Sequence, residues 1–166
     1  MRIAITGHRD LDCHTTDLVE AEIRALLARF GRNIVGVSCL AAGADQIFAR
    51  AVLNLGGRLE VVLPWAGYET TLAGRARRGF DELRTRASAT RVLTRLGQDS
   101  HSYLAAGLRL LDDADALIAV WDGHAARGRG GTAEIAHHAR QRHLPVHRVW
   151  PPTATRTTAL RSQATP

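Results

Sequence analysis

Apolar residues along this chain come in two rhythms that alternate almost from end to end. Four short runs are apolar at nearly every position: "RIAIT" (2–6), "NIVGVSC" (33–39), "LEVVLPW" (59–65) and "DALIAVWD" (115–122). Such runs read as strands buried on both faces, and the proline in the third marks its end. Two weaker runs, "RVLTRL" (91–96) and "PVHRVW" (145–150), bring the set to about six. Between them the period lengthens to that of a helix. "TTDLVEAEIRALLARFG" puts Leu18, Ile23, Leu26, Leu27 and Phe30 on one face, with Thr15 or Thr16 as N-cap and Gly31 as C-cap. Further helices are expected over "GADQIFARAVLNLGG", near 76–88, over "SYLAAGLRLLDDA" and over "GTAEIAHHARQRH".

Strand and helix alternating in this way predict an α/β fold: a Rossmann-like, doubly wound, mainly parallel sheet of about six strands flanked by helices. Residues 1–150 are expected to form one nucleotide-binding domain. "PPTATRTTALRSQATP" (151–166) has little to bury and is expected to be a disordered tail.

Parallel open sheets bind ligands at the carboxyl ends of their strands. That rule turns four loops into one candidate site: "TGHRD", "SCLAAGAD", "PWAGY" and "WDGHAARGRGGT". In the last, Gly130, Gly131 and Thr132 open a helix, where free backbone N–H groups and the positive dipole end suit a phosphate. Thr132 could equally be a simple N-cap, with Glu134 favourable in the first helical turn in its own right. Asp122, Gly123 and Arg129 belong to the same loop. In the first loop Gly7 would let a ligand lie against backbone while Arg9 pairs with its oxygens. His8, Ser38, Gly43 and Asp45 are expected on the sugar side, with Trp65 or Tyr68 near the base; Tyr103 is a third aromatic close by.

Composition narrows the chemistry. Of 166 residues, 45% are hydrophobic, enough for a real core, and no apolar run approaches bilayer length, so a cytoplasmic protein is expected. The formal charge is +6, yet all 22 basic residues are arginine. Without lysine there can be neither a Schiff base to pyridoxal phosphate nor a P-loop lysine. An arginine excess in an Ala-, Gly- and Leu-rich chain reflects coding bias, and the cluster "GRARRGFDELRTRASATR" reads first as a solvated helix face. The eight histidines make no convincing metal set, and "EIAHH" is not the HExxH arrangement. Cys13 and Cys39 are expected to be free thiols packed as small hydrophobes.

The run "ITGHR…SCLAAGAD…LPW…Y…DDADALIAVWDG…GRGGTAEIAHHAR…PVHRVW" resembles the SMF/DNA-processing-protein-A and LONELY GUY superfamily, SLOG, over almost the whole chain to residue 150. The resemblance implies a Rossmann-like domain that binds nucleotides through the first-strand glycine and the GGT loop. The LONELY GUY branch hydrolyses the N-glycosidic bond of nucleoside monophosphates and carries a Pro-Gly-Gly-x-Gly-Thr-x-Glu-Glu signature. Gly131, Thr132 and Glu134 match its Gly-Thr-x-Glu core and Gly128 matches one earlier glycine, whereas Arg129 and Ile135 depart from it. That branch's helix arginine falls at Ala106, with Arg109 nearly one turn later. The first expectation is therefore a nucleotide-binding protein that needs no cofactor, a homodimer by default. An N-glycosidic hydrolase using Glu134 is the alternative, and single-stranded DNA binding through the 75–95 arginines the second alternative.

Overall fold

The computed structural model describes residues 1–125 and 128–156. Six strands alternate with five helices: β1 (Arg2–Gly7), α1 (Cys13–Arg29), β2 (Val35–Ser38), α2 (Ala44–Asn54), β3 (Arg58–Leu63), α3 (Gly74–Thr85), β4 (Ala89–Val92), α4 (Asp99–Leu111), β5 (Ala116–Val120), α5 (Thr132–Gln141) and β6 (Val146–Val149). A short 3-10 turn, Tyr68–Thr71, follows β3. All five strand pairings are parallel, in the order β4-β3-β2-β1-β5-β6. The expected doubly wound α/β architecture is what the chain forms.

Side chains alternate between the two faces of each strand, and both faces are covered. Ile3, Ile5, Ile118 and Val120 pack under α1 and α2, against Val19, Ile23, Leu27, Phe48 and Val52. Ala4, Val37, Leu117 and Ala119 face the other way, under Ala106, Leu110 and Leu111 of α4 and Ile135, Ala136 and Ala139 of α5. A third cluster sits beneath α3, where Leu59, Val61, Leu63 and Trp65 meet Tyr68, Phe80 and Leu83.

Several boundaries differ from the sequence reading, each for a local reason. The N-cap of α1 is Asp12, whose carboxylate accepts from the Thr15 N–H at 2.7 Å, so the helix starts before Thr15 or Thr16. β4 lies at 89–92 rather than 91–96. All four of its residues are exposed, so no buried stripe marks it, and its place is set by pairing with Glu60–Leu63. Cys39 packs beside the core as a small hydrophobe, but Cys13 is exposed on the first turn of α1.

The chain does not leave the body at residue 150. Residues 151–156 turn back over the N-terminus of α1: the Thr155 N–H donates to Thr15 Oγ1 at 2.8 Å, and the Thr155 hydroxyl donates to Asp12. Leu11 and Arg156 form an antiparallel bridge. This strap corrects the tail expectation for 151–156; residues 157–166 lie outside the described residues. Among the described residues no helix is long and apolar enough to cross a membrane.

Candidate functional site

The strand order reverses direction between β1 and β5: β2 to β4 lie on one side of β1, β5 and β6 on the other. Loops diverge at such a point and leave a crevice. Here the crevice is a cavity of about 400 Å³, within the range of small-molecule sites. Gly7, His8 and Arg9 come to it from β1, Asp45 from α2, Tyr68 from the 3-10 turn, and Arg129, Gly130, Gly131 and Thr132 from the α5 approach. Ile5, Ala106, Leu110 and Ile135 supply apolar wall.

Gly7 is a glycine for a packing reason. A Cβ there would stand 2.4 Å from the Ala44 Cβ and 2.8 Å from the Val120 Cβ, so α2 and β5 both close on β1 at this residue. Gly43, at φ +75°, lies against the carbonyls of His8 and Arg9, where a Cβ would be 2.6 and 2.7 Å away. The Ala44 N–H donates to the His8 carbonyl at 3.2 Å. The N-terminus of α2 is thus capped by the β1 loop, and Gly43 backs the site without lining it.

The "SCLAAGAD" loop turns its donors inward. Asp45 Oδ2 accepts from the Ser38 hydroxyl (3.1 Å), the Cys39 N–H (3.1 Å) and the Ala41 N–H (3.4 Å), while Ser38 Oγ accepts from the Leu40 N–H. Asp45 is the loop's own internal anion. Burial raises its carboxyl to about 6, against the opposing pull of Ser38, Arg9 and the two amides. Ser38 is fully buried beneath it and does not reach the cavity.

The aromatic residues separate in role. Trp65 is buried between Tyr68 and Tyr103, at ring distances of 5.5 and 5.2 Å, and does not line the cavity. Tyr68 and Tyr103 do line it. The Tyr68 hydroxyl is buried with no hydrogen-bond partner among the described residues, and burial pushes its pKa above the ordinary tyrosine range. Arg9 lies over the Tyr103 ring, 4.8 Å from its centroid, and makes no ion pair among the described residues.

The chain after β5 is braced before it turns to α5. Trp121 Nε1 donates to the His124 carbonyl at 2.7 Å and Arg148 Nε donates to the Trp121 carbonyl at 3.0 Å. Asp122 accepts from the His124 N–H at 2.9 Å and lies 3.1 Å from His8 Nε2 and 3.4 Å from Arg156. Burial alone would raise its pKa, but the His124 N–H, His8 and Arg156 together bring it down to about 2. Asp122 therefore braces His8 rather than facing the cavity. Gly123 lies beside the Arg148 guanidinium, outside it.

At the start of α5 the donors divide. The Gly130 N–H donates to Glu134 Oε2 at 2.6 Å and the Gly131 N–H to the Gly128 carbonyl at 3.2 Å, so both are occupied. Gly130 is pressed flat on α4, where a Cβ would lie 2.6 Å from the Leu104 nitrogen. The first two helical amides, Thr132 and Ala133, have no partner among the described residues, and both residues line the cavity. Among the described residues the amides left open at this helix start are thus those of Thr132 and Ala133, not those of Gly130 and Gly131. Glu134 folds back onto its own loop and does not line the cavity, an arrangement of a capping carboxylate.

Among the cavity residues absent from the sequence reading is a further arginine, Arg156, delivered by the strap. Its neighbours give no local signal, because what holds it in place is Asp12 and Thr15 at the other end of the chain. Among the described residues no group of three His, Cys, Asp or Glu side chains could hold a metal ion.

No family model matches the sequence, and no curated protein is detectably similar to it. Solved structures are similar in fold. DNA processing protein A from Streptococcus pneumoniae superposes with a TM-score of 0.64 at 21% identity, covering 92% of this chain and 51% of that one. DNA processing protein A from Helicobacter pylori, described for its single-stranded DNA binding mode, gives 0.64 at 17% identity over 94% of this chain and 68% of that one. The molybdenum cofactor binding protein from Rippkaea orientalis gives 0.57 at 15% identity over 89% and 74%. The chain spans about half the length of the pneumococcal protein. Sheet order and crevice thus define a doubly wound, Rossmann-like protein. Within that class the chain has the SLOG-type fold.

Proposed function

We propose that this protein binds a nucleotide or nucleotide-derived small molecule in the crevice between the β1 and β5 loops. The observation that carries the reading is a pair of amides, Thr132 and Ala133, with no partner among the described residues, at a helix N-terminus that lines a cavity of about 400 Å³. A phosphate there would take two backbone donors, the Thr132 hydroxyl and the α5 dipole. Arg9 adds a cation, and Tyr68 and Asp45 add polar groups for the rest of the ligand. Calorimetry or thermal shift against nucleoside mono- and diphosphates, NAD, ADP-ribose and cyclic nucleotides tests it. Folded protein that responds to none of them overturns it. The position of Glu134 supports binding over N-glycosidic hydrolysis, since its carboxylate is spent on Gly130. Incubation with nucleoside monophosphates should then release no free base.

A second reading has its own observation. Arg75 and Arg78 share a face of α3, are exposed and make no ion pair among the described residues. This face suits a nucleic-acid backbone, and the Helicobacter protein of similar fold is described as binding single-stranded DNA. Affinity for single-stranded DNA that falls steeply with salt, and falls again when these arginines become glutamine, would support it.

A further inference from the structure

The C-terminal strap brings to the crevice a cation that the neighbouring loops do not supply. Arg156 lines the cavity, and its side chain is 18% exposed. Its only ion pair among the described residues is with Asp122, at 3.4 Å, longer than the 2.7–2.9 Å of a well-formed charge-assisted hydrogen bond. Asp122 is already shared: it accepts from the His124 N–H and lies 3.1 Å from His8 Nε2. Arg156 Nε is buried and has no hydrogen-bond partner among the described residues. A guanidinium offers five donors in a planar fork, and leaving one buried and unmet costs free energy. The backbone at Thr155 and Arg156 is nonetheless well held, through Thr155 to Thr15 and Asp12 and through the bridge to Leu11. A firmly anchored backbone carrying an under-satisfied guanidinium into a cavity is an arrangement suited to an anion.

We infer that Arg156 is a ligand-binding residue of the crevice, donating to the anionic group of a phosphate-bearing ligand, so that the site is complete only with the strap in place. The inference rests on the nucleotide reading above and adds to it a residue from outside the β1–β6 core. A permanent positive charge facing phosphate oxygens distinguishes this role from a tie to Asp122 alone.

The test is calorimetric titration of the full chain with AMP and with inorganic pyrophosphate, comparing wild type, Arg156→Gln and Arg156→Lys, each checked by urea unfolding. Loss of one charge-assisted contact should weaken Arg156→Gln by about tenfold or more. Arg156→Lys should recover most of that loss, with the urea midpoints of all three close together. Unchanged affinity in Arg156→Gln overturns the inference and leaves the crevice reading standing. Equal loss in the Gln and Lys variants also overturns it, because packing rather than charge would then be responsible. Failure of the wild type to bind either probe overturns the inference, and silence across the wider nucleotide panel as well overturns both. If Arg156→Gln does not fold, Arg156→Met, which keeps the aliphatic stem, replaces it under the same criteria.

Discussion

Replacing Thr132 by proline should weaken phosphate binding while leaving the fold intact, because proline deletes a backbone donor that no other described residue uses. Thr132 is the first residue of α5, the helical position at which proline is best tolerated. Gly131 before it sits at φ −73° and ψ 162°, the extended conformation proline demands of its predecessor. The Thr132 N–H has no partner among the described residues, so its loss breaks no internal hydrogen bond. Stability should stay level or rise slightly, since proline restricts the unfolded chain by about 0.4–1 kcal/mol. A bound phosphate would lose a hydrogen bond to a charged group, worth about 1.5–3 kcal/mol, or roughly ten- to 150-fold in affinity. Proline also removes the hydroxyl, so Thr132→Val, which keeps the amide and deletes only the hydroxyl, separates the two contributions. Calorimetry with AMP at fixed salt, paired with urea unfolding, reads both quantities. If Thr132→Pro binds as tightly as wild type and its urea midpoint is unchanged, the phosphate does not sit on α5.

Three further outcomes follow from named contacts. Asp45, at about 6 in the folded protein, lies above the ~3.9 of an unfolded aspartate, so the native state holds its proton more tightly. That contribution is full below about pH 4 and is lost as pH rises through 6. Over that window wild type should lose about 3 kcal/mol relative to Asp45→Asn in urea unfolding, and parallel pH profiles would refute it. Gly7→Ala places a methyl 2.4 Å from the Ala44 Cβ, where carbon atoms prefer ~3.5–4.0 Å, and should cost about 1–3 kcal/mol; an unaltered urea midpoint would count against the packing argument. Glu134→Ala leaves the Gly130 N–H without its acceptor and should cost about 1 kcal/mol and loosen AMP binding, whereas Glu134→Gln, which keeps an acceptor, should stay close to wild type. Equal loss in both variants would show that the charge itself matters.

The fold was legible because the strands that matter are apolar on both faces. Ile118 and Val120 serve one layer and Leu117 and Ala119 the other, and only a covered parallel strand needs all four. Edge strand β4, with no buried face, carries no such mark; it starts two residues and ends four residues before the expected run. The rule that ligands sit at strand C-termini brought Gly7, Arg9, Asp45 and Thr132 to one cavity. It could not say which amides are open. That depends on side chains returning to their own loops, as Asp45 does to Cys39 and Ala41 and Glu134 to Gly130. Gly7 and Gly43 were legible as special positions, but the structural cause is the approach of α2 to the β1 loop. Trp65 was one of three aromatic residues expected near the site, yet it packs into the third core cluster, while Tyr68 and Tyr103 line the cavity. The docking of Arg156 left no local trace, because it is specified by residues at the far end of the chain.

The pairing of β1 with β5 has a consequence for how this protein must be made. Ile3 lies opposite Ala116 and Gly7 opposite Val120, so during synthesis β1 waits for a strand made long after it. Until then its β5-facing edge has no neighbour, and closing so long a loop is entropically costly. The crevice opens along that same seam. A chain halted during synthesis before β5 could build the β2–β3 side of the sheet but would lack the cavity, so the crevice exists only once translation has passed β5.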